Sequence, residues 1–309
     1  MRMPVEPILY ALNVGRGDSF FIEIPALEES YVILIDGGDC QKEMRVTPYA
    51  FIRERGWKRI DLMILTHLHP DHLYGLLEVS EHIPVTEALL PYPEMNLSIG
   101  ELTNTKAIQT AELLRVYEEL QMNLTRQQTS IVRRPPFGEK SVWAFGELIL
   151  RHIEPVDPRD MAAYLTLEEL REAPEDQQDR LLERFDGQSN ADSSVLLLEH
   201  QDGTQLLLLS GDAVLSNWER ILEREKLSPY VFKVGHHGVR DAWDEQLLAA
   251  LSPDWVLVTN HKEEYEMFQD EWEGLVRTSG SQLFVTGAKD NSRCLISRLP
   301  RRPERIELE

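Results

Sequence analysis

The chain has 309 residues, of which 42 % are apolar and 28 % charged, and it carries a formal charge of −21. That apolar share supports a sizeable core and excludes disorder as the default state, while the charge disfavours long duplex nucleic acid as a partner. The two cysteines, Cys40 and Cys294, are too far apart to make a disulfide framework or a thiolate zinc site, which fits a reducing compartment.

In chain order, PILYALNV, SFFIEI and YVILID predict three short strands joined by turns, an antiparallel meander. The stretch before the first strand has no long apolar segment, and no later run reaches a membrane-spanning length. A soluble, cytoplasmic protein is therefore expected. A helix is expected over Gln41–Arg55. IDLMILT (60–66) is a continuous apolar run, the pattern of a strand covered on both faces. A helix over Asp71–Ser80 and the strand VTEALL (85–90) follow.

Ile108, Leu113, Leu114, Tyr117 and Leu120 recur at helical spacing and predict a helix over Thr103–Gln121. Arg126, Arg133, Arg134 and Lys140 form a basic island, read as a solvated loop. SVWAF and ELILRHI flank Gly146 as a hairpin. Residues 157–186 are acidic and helical in spacing, and read as an insertion of one or two surface helices. The remainder alternates: strands SSVLLLEH and QLLLLSG, helix Ala213–Glu225, strand YVFKV, helix Asp241–Leu251, strand WVLVT, helix Glu263–Ser279, and strands QLFVTG and SRCLISR. No linker-like composition divides them, so one domain over 1–309 is expected.

Within this pattern one stretch stands apart. Thr66 to Gly75 reads THLHPDHLYG and places His67, His69, Asp71 and His72 within six residues, directly after a buried strand. His67 and His69 are two apart, so extended backbone points them the same way. Pro70 ends regular pairing, and Asp71 and His72 open a helix, where an aspartate is favoured. Neutral imidazole and carboxylate delivered this way suit two nearby ions of zinc, manganese or ferrous iron. Asp212 and His236 also end apolar strands, where burial is costly unless the groups are paired or coordinated. Asp212 could equally serve as the N-cap of the helix after it.

HLHPDH resembles the HxHxDH signature of the metallo-β-lactamase superfamily. LNVGRGDSFFIEI (12–24), VILIDGG (32–38), NADSSVLLLEH (190–200), LLLSGD (207–212) and VFKVGHHG (231–238) are similar, in the same order, to the motifs of the metallo-β-lactamase domain of competence DNA-uptake proteins. The resemblance implies an αββα sandwich with two divalent ions at one edge, zinc first and manganese as the alternative. His67 and His69 would hold one ion, Asp71, His72 and His236 the other, and Asp212 would bridge them. Asn190 stands where most of the superfamily has a histidine, so the first site would be looser. His237 would contact the scissile group or protonate the leaving oxygen, and Asp71 and Asp212 would be essential to catalysis. Asp36 would steady a ligating histidine, and Asp18 could do the same or be a plain turn residue. Strand alternation puts Lys233 on the side opposite His236, as a structural residue. Tyr74 replaces a glycine frequent in the family and is expected to pack beside its helix.

The implied activity is metal-dependent hydrolysis of phosphodiesters, as a nuclease or phosphodiesterase. Hydrolysis of another ester, lactone or amide is the alternative, since one fold hosts many such activities. A third reading is a regulated effector subunit that docks a protein partner through the acidic helices around Leu165–Asp186.

Overall fold

The computed structural model describes residues 5–39, 46–134 and 141–307. Cys40, Lys140 and the first part of the expected Gln41–Arg55 helix lie outside them. Strands β1 (Ile8–Leu12), β2 (Phe20–Ile24) and β3 (Tyr31–Ile35) form the expected antiparallel meander. The chain then makes parallel crossovers: α1 (Pro48–Arg55), β4 (Ile60–Ile64), α2 (Pro70–His82), β5 (Val85–Leu90), α3 (Thr105–Arg126) and β6 (Ser130–Arg133). Parallel neighbours require such helical connections. Local sequence starts these helices: the Thr47 hydroxyl accepts from Ala50 N at the head of α1, and the Asn104 side chain accepts from Lys106 N and Ala107 N at the head of α3.

A hairpin of β7 (Val142–Phe145) and β8 (Leu148–Glu154) opens a second sheet, followed by α4 (Ala162–Glu172) and α5 (Glu175–Gln188). Then come β9 (Val195–His200), β10 (Gln205–Leu209), α6 (Leu215–Arg224), β11 (Val231–Lys233), α7 (Glu245–Leu251), β12 (Trp255–Val258), α8 (Lys262–Ser279) and β13 (Gln282–Val285). Finally β14 (Ser292–Arg298) and β15 (Glu304–Glu307) return to the first sheet, with β14 pairing antiparallel to β1. The sheet orders are β15-β14-β1-β2-β3-β4-β5-β6 and β13-β12-β11-β10-β9-β8-β7.

Alternation along the strands builds the layers. Leu9, Ile22, Ile33 and Ile64 pack with Leu150, Leu198, Leu207 and Val231 between the sheets. Their neighbours Tyr10, Phe21, Leu34 and Met63 turn outward onto α1, α2 and α3. On the far side, Leu197, Leu208, Phe232 and Val256 meet Trp218, Leu248 and Trp272 of α6, α7 and α8. The result is the αββα order.

Three expectations are corrected. Helices α4 and α5 are not surface decoration: Leu167, Leu170, Leu181, Leu182 and Phe185 are buried in the same core as α3. The basic island is not a solvated loop, because Arg133 closes β6 and pairs with Glu94, and Arg134 is buried. Asp212 does not cap α6, whose N-cap is Val214.

Candidate metal centre

Polar groups gather at strand ends: Asp36, Asp212 and His237, which the sequence singled out, after β3, β10 and β11, with Thr66 after β4 and Thr259 after β12. Ligands in α/β sheets bind beyond the carboxyl ends of strands, where loops diverge. Two glycines bring the loop after β3 onto α2. A Cβ on Gly75 would lie 2.0 Å from the Gly37 oxygen, so the two backbones touch. Gly37 N donates to His72 O at 2.7 Å and Gly75 N to Gly38 O at 3.1 Å. That docking sets Asp36 beside His72. Tyr74 packs against the helical core, as expected.

Hydrogen bonds then fix each imidazole. Thr66 Oγ1 donates to Asp36 Oδ2 at 2.8 Å, so it can only accept from His67 Nδ1, 3.2 Å away. His69 Nε2 faces the Asp186 carbonyl at 3.1 Å and must carry the proton. His72 Nδ1 donates to Asp36 Oδ2 at 2.9 Å. Thr259 Oγ1 donates to Asp18 Oδ1 and accepts from His237 Nδ1 at 3.1 Å. In the neutral form of each ring the other nitrogen carries a lone pair, and these four nitrogens converge.

The convergence has the form of two ligand sets. His67 Nε2 and His69 Nδ1 face each other at 3.2 Å. Two lone pairs cannot share a hydrogen bond, but two nitrogens on one tetrahedral zinc lie about 3.3 Å apart for bonds of about 2.05 Å. His237 Nε2 is 3.1 Å from Asp71 Oδ2 and 3.2 Å from Asp212 Oδ2, and His72 Nε2 is 3.4 Å from Asp212 Oδ2. The Asp212 Oδ2 atom is also 3.8 Å from His67 Nε2, so it borders both sets. His67, His69 and Asp212 on one side, and Asp71, His72 and His237 on the other, could each hold an ion. His72 Nε2 and His237 Nε2 are buried without a hydrogen-bond partner. Orphaned atoms of this kind are what a metal site shows when described by protein atoms alone.

Charge supports the same fit. Four carboxylates, those of Asp18, Asp36, Asp71 and Asp212, adjoin a single fixed cation, Lys233, for a formal sum of −3. Lys233 is fully buried; its ammonium pairs with Asp18, lies 3.5 Å from Asp212 Oδ1 and donates to Gly211 O at 2.7 Å. Burial holds His67 well below the usual imidazole range and lowers His69 as well. Burial acts the same way on His237, but Asp212, Asp18 and Asp71 outweigh it and push the ring up to about 10. Burial opposes ionisation of Asp212 as well, yet His237, His72 and Lys233 hold it well below the usual carboxylate range. A buried excess of carboxylate draws in cations, and divalent ions displace protons to satisfy it.

Not every candidate lies where strand logic put it. His237, rather than His236, meets Asp71 and His72, while His236 lies beside Asn190, with Nε2 3.1 Å from Asn190 Nδ2. The cause is backbone: β11 ends at Lys233, and His236 and His237 adopt φ of 46° and 52°, consecutive left-handed residues. Alternation does not survive that turn, which redirects the two imidazoles, while Lys233, still within β11, contacts Asp212 instead of facing away. Such strain in side-chain-bearing residues concentrates at functional sites. Lys233 and Thr259 were missed as site residues, although a lysine inside VFKV was a signal: a mid-strand ammonium among apolar residues needs an anionic partner.

The model of the metallo-beta-lactamase superfamily matches residues 12–107. The matched span includes the His67–His72 cluster and ends inside α3, before Asp212 and His237. The metallo-beta-lactamase fold protein YhfI of Bacillus subtilis is similar over 94 % of this chain and 99 % of its own, at 10 % identity and a TM-score of 0.47. The short form of human tRNase Z is similar over 96 % of this chain and 100 % of its own, at 9 % identity and a TM-score of 0.43. No curated protein matches the chain. The mixed α/β architecture with two sheets is consistent with the metallo-beta-lactamase fold.

Proposed function

We propose that the chain is a dinuclear metal-dependent hydrolase of phosphodiesters. The observation that carries the reading is the Asp212 Oδ2 atom, which lies 3.8 Å from His67 Nε2 and 3.2 Å from His237 Nε2, between two sets of converging imidazole nitrogens. A divalent pair held by these sets would supply Lewis acidity toward a phosphoryl oxygen and would acidify water enough for attack near neutral pH. The protein groups do the rest. Asp36, Thr66 and Thr259 hold the ring tautomers, and Lys233 occupies the Asp212 Oδ1 side, which leaves Oδ2 for the centre. Two divalent ions would change the local sum of −3 to +1, a balance suited to a monoanion such as a phosphodiester. Among the second set, Asp71 alone keeps appreciable exposure, 26 % of its side chain, so approach is from its side. The five motifs resembling those of competence DNA-uptake proteins favour a phosphodiester over a lactone or β-lactam.

The test is a substrate panel on metal-stripped protein reloaded with Zn²⁺ or Mn²⁺: an aryl phosphodiester, a short single-stranded oligonucleotide and a chromogenic β-lactam. Metal-dependent phosphodiester cleavage that Asp212→Ala abolishes is expected. Turnover of the β-lactam alone would replace the reading with amide hydrolysis.

A further inference from the structure

The segment before β9 carries Asn190 between residues that are hydrogen-bonded to the segments of the first ligand set. Asp186 O accepts from His69 Nε2 at 3.1 Å, and Ser189 Oγ donates to Leu68 O at 3.1 Å. Beyond Asn190, Ser193 Oγ accepts from Asp212 N at 3.0 Å and Ser194 N donates to Thr66 O at 2.9 Å. Asn190 is thus bracketed by residues bonded to the segments that carry His67, His69 and Asp212. Its Oδ1 atom is buried without a hydrogen-bond partner.

An amide can face either way, and only its oxygen is a donor to a cation. Which way it faces here is decided by His236. Asp241 Oδ1 lies 2.9 Å from His236 Nδ1, so a carboxylate accepts the proton on that nitrogen. The other nitrogen, Nε2, is then an acceptor, and Asn190 Nδ2 fills it at 3.1 Å. With the NH₂ group committed to His236, Oδ1 is the free end. A flipped amide would set an oxygen against the Nε2 lone pair.

We propose that His236 is a positioning residue: the Asp241–His236 pair fixes the amide of Asn190 so that Oδ1 completes the His67–His69 metal site. This rests on the two-metal reading above. The left-handed backbone at His236 and His237 serves both ends, sending one ring to Asn190 and the other to Asp71. An amide has one oxygen and needs orienting; a carboxylate has oxygen at both ends and does not.

The experiment counts and titrates ions rather than following turnover. Chelator-treated protein is titrated with Mn²⁺ and Zn²⁺, and bound metal per chain is measured by elemental analysis. Wild type should bind two ions. His236→Leu should weaken one of the two by roughly 10–100-fold, the range for partners that orient a ligand, and leave the other unchanged. Asn190→Asp in the His236→Leu background should recover most of that loss. Asp241→Asn, at a side chain 53 % exposed, keeps the ring but removes its orienting carboxylate, and should weaken the same site less. Melting curves in chelator separate misfolding from metal loss, and Asp241→Asn carries the test if His236→Leu does not fold. Undiminished binding in both variants would overturn the proposal. So would failure of the double variant to recover, which would make His236 a ligand itself. Wild type that binds two ions but cleaves no phosphodiester would sink the proposed activity and leave this inference standing.

Discussion

Lys233 sets a fixed positive charge behind Asp212, the aspartate that borders both ligand sets, and shares the space between Asp18 and Asp212. Removing one member of a buried pair costs about 3–5 kcal/mol because the other is left uncompensated. Lys233→Met should therefore melt well below wild type in chelator. Added Zn²⁺ should recover more stability in the variant than in wild type, since the ions then meet an additional unpaired carboxylate. Equal metal-induced shifts in melting temperature would remove Lys233 from the electrostatics of the centre. Cys294 is a second residue whose surroundings decide its chemistry. Burial pushes its thiol up to about 11, so at pH 8 it is almost wholly protonated and a poor nucleophile. Iodoacetamide at pH 8 should leave Cys294 unmodified in native protein and alkylate it in denaturant, as read by peptide mass spectrometry. The HLHPDH cluster was legible because its residues are neighbours in sequence and their spacing alone suggests convergence. Lys233 and Thr259 were not, since their partners Asp18 and Asp212 come from other strands and only the closed sandwich brings them together.

Helices and strands follow the same rule of locality. The β1–β3 meander, the buried run of β4 and helix α2 were predicted from apolar period and turn residues, and the structure agrees to within a few positions. Two strands were missed. Strand β6 has four residues after a long helix, and β15 reads ERIE, too short and polar to signal a strand without its partner β14. The acidic helices misled differently: most of their residues are polar, and the few apolar ones, Leu181, Leu182 and Phe185, form a narrow face that docks on α3. The junction of the loop after β3 with α2 makes the sharpest demand on an element. Gly75→Ala would force a methyl group into the Gly37 carbonyl, which is backbone and cannot rotate away. Overpacking costs about 1–3 kcal/mol where side chains can adjust, and here the upper end or beyond is expected. Chemical denaturation should show that loss, together with weaker metal binding because Asp36 and His72 are displaced. An alanine variant as stable as wild type would mean that this contact is looser than the structure has it.

At the scale of the whole molecule, the charge of −21 would oppose the local cationic centre that two bound ions would make. An anionic substrate would be repelled at long range and attracted only once near those ions. Salt screens the long-range part over about 10 Å at 0.1 M. Second-order rates on a short phosphodiester should therefore rise between 20 and about 150 mM salt, the reverse of what a basic nuclease shows. A steady fall with salt, measured as kcat/KM, would mean that a local positive approach dominates. The pairing of β1 with β14 has another consequence, one of timing. Leu12 and Cys294 are register partners across most of the chain. During synthesis the inner edge of β1 has no neighbour until residues 292–298 leave the ribosome, so the first sheet is completed only after every strand of the second has been made. Until then an apolar strand edge is open to other chains. A nascent or shortened chain that stops before β14 should therefore be held by chaperones or aggregate, even though every histidine and aspartate of the centre has already been made.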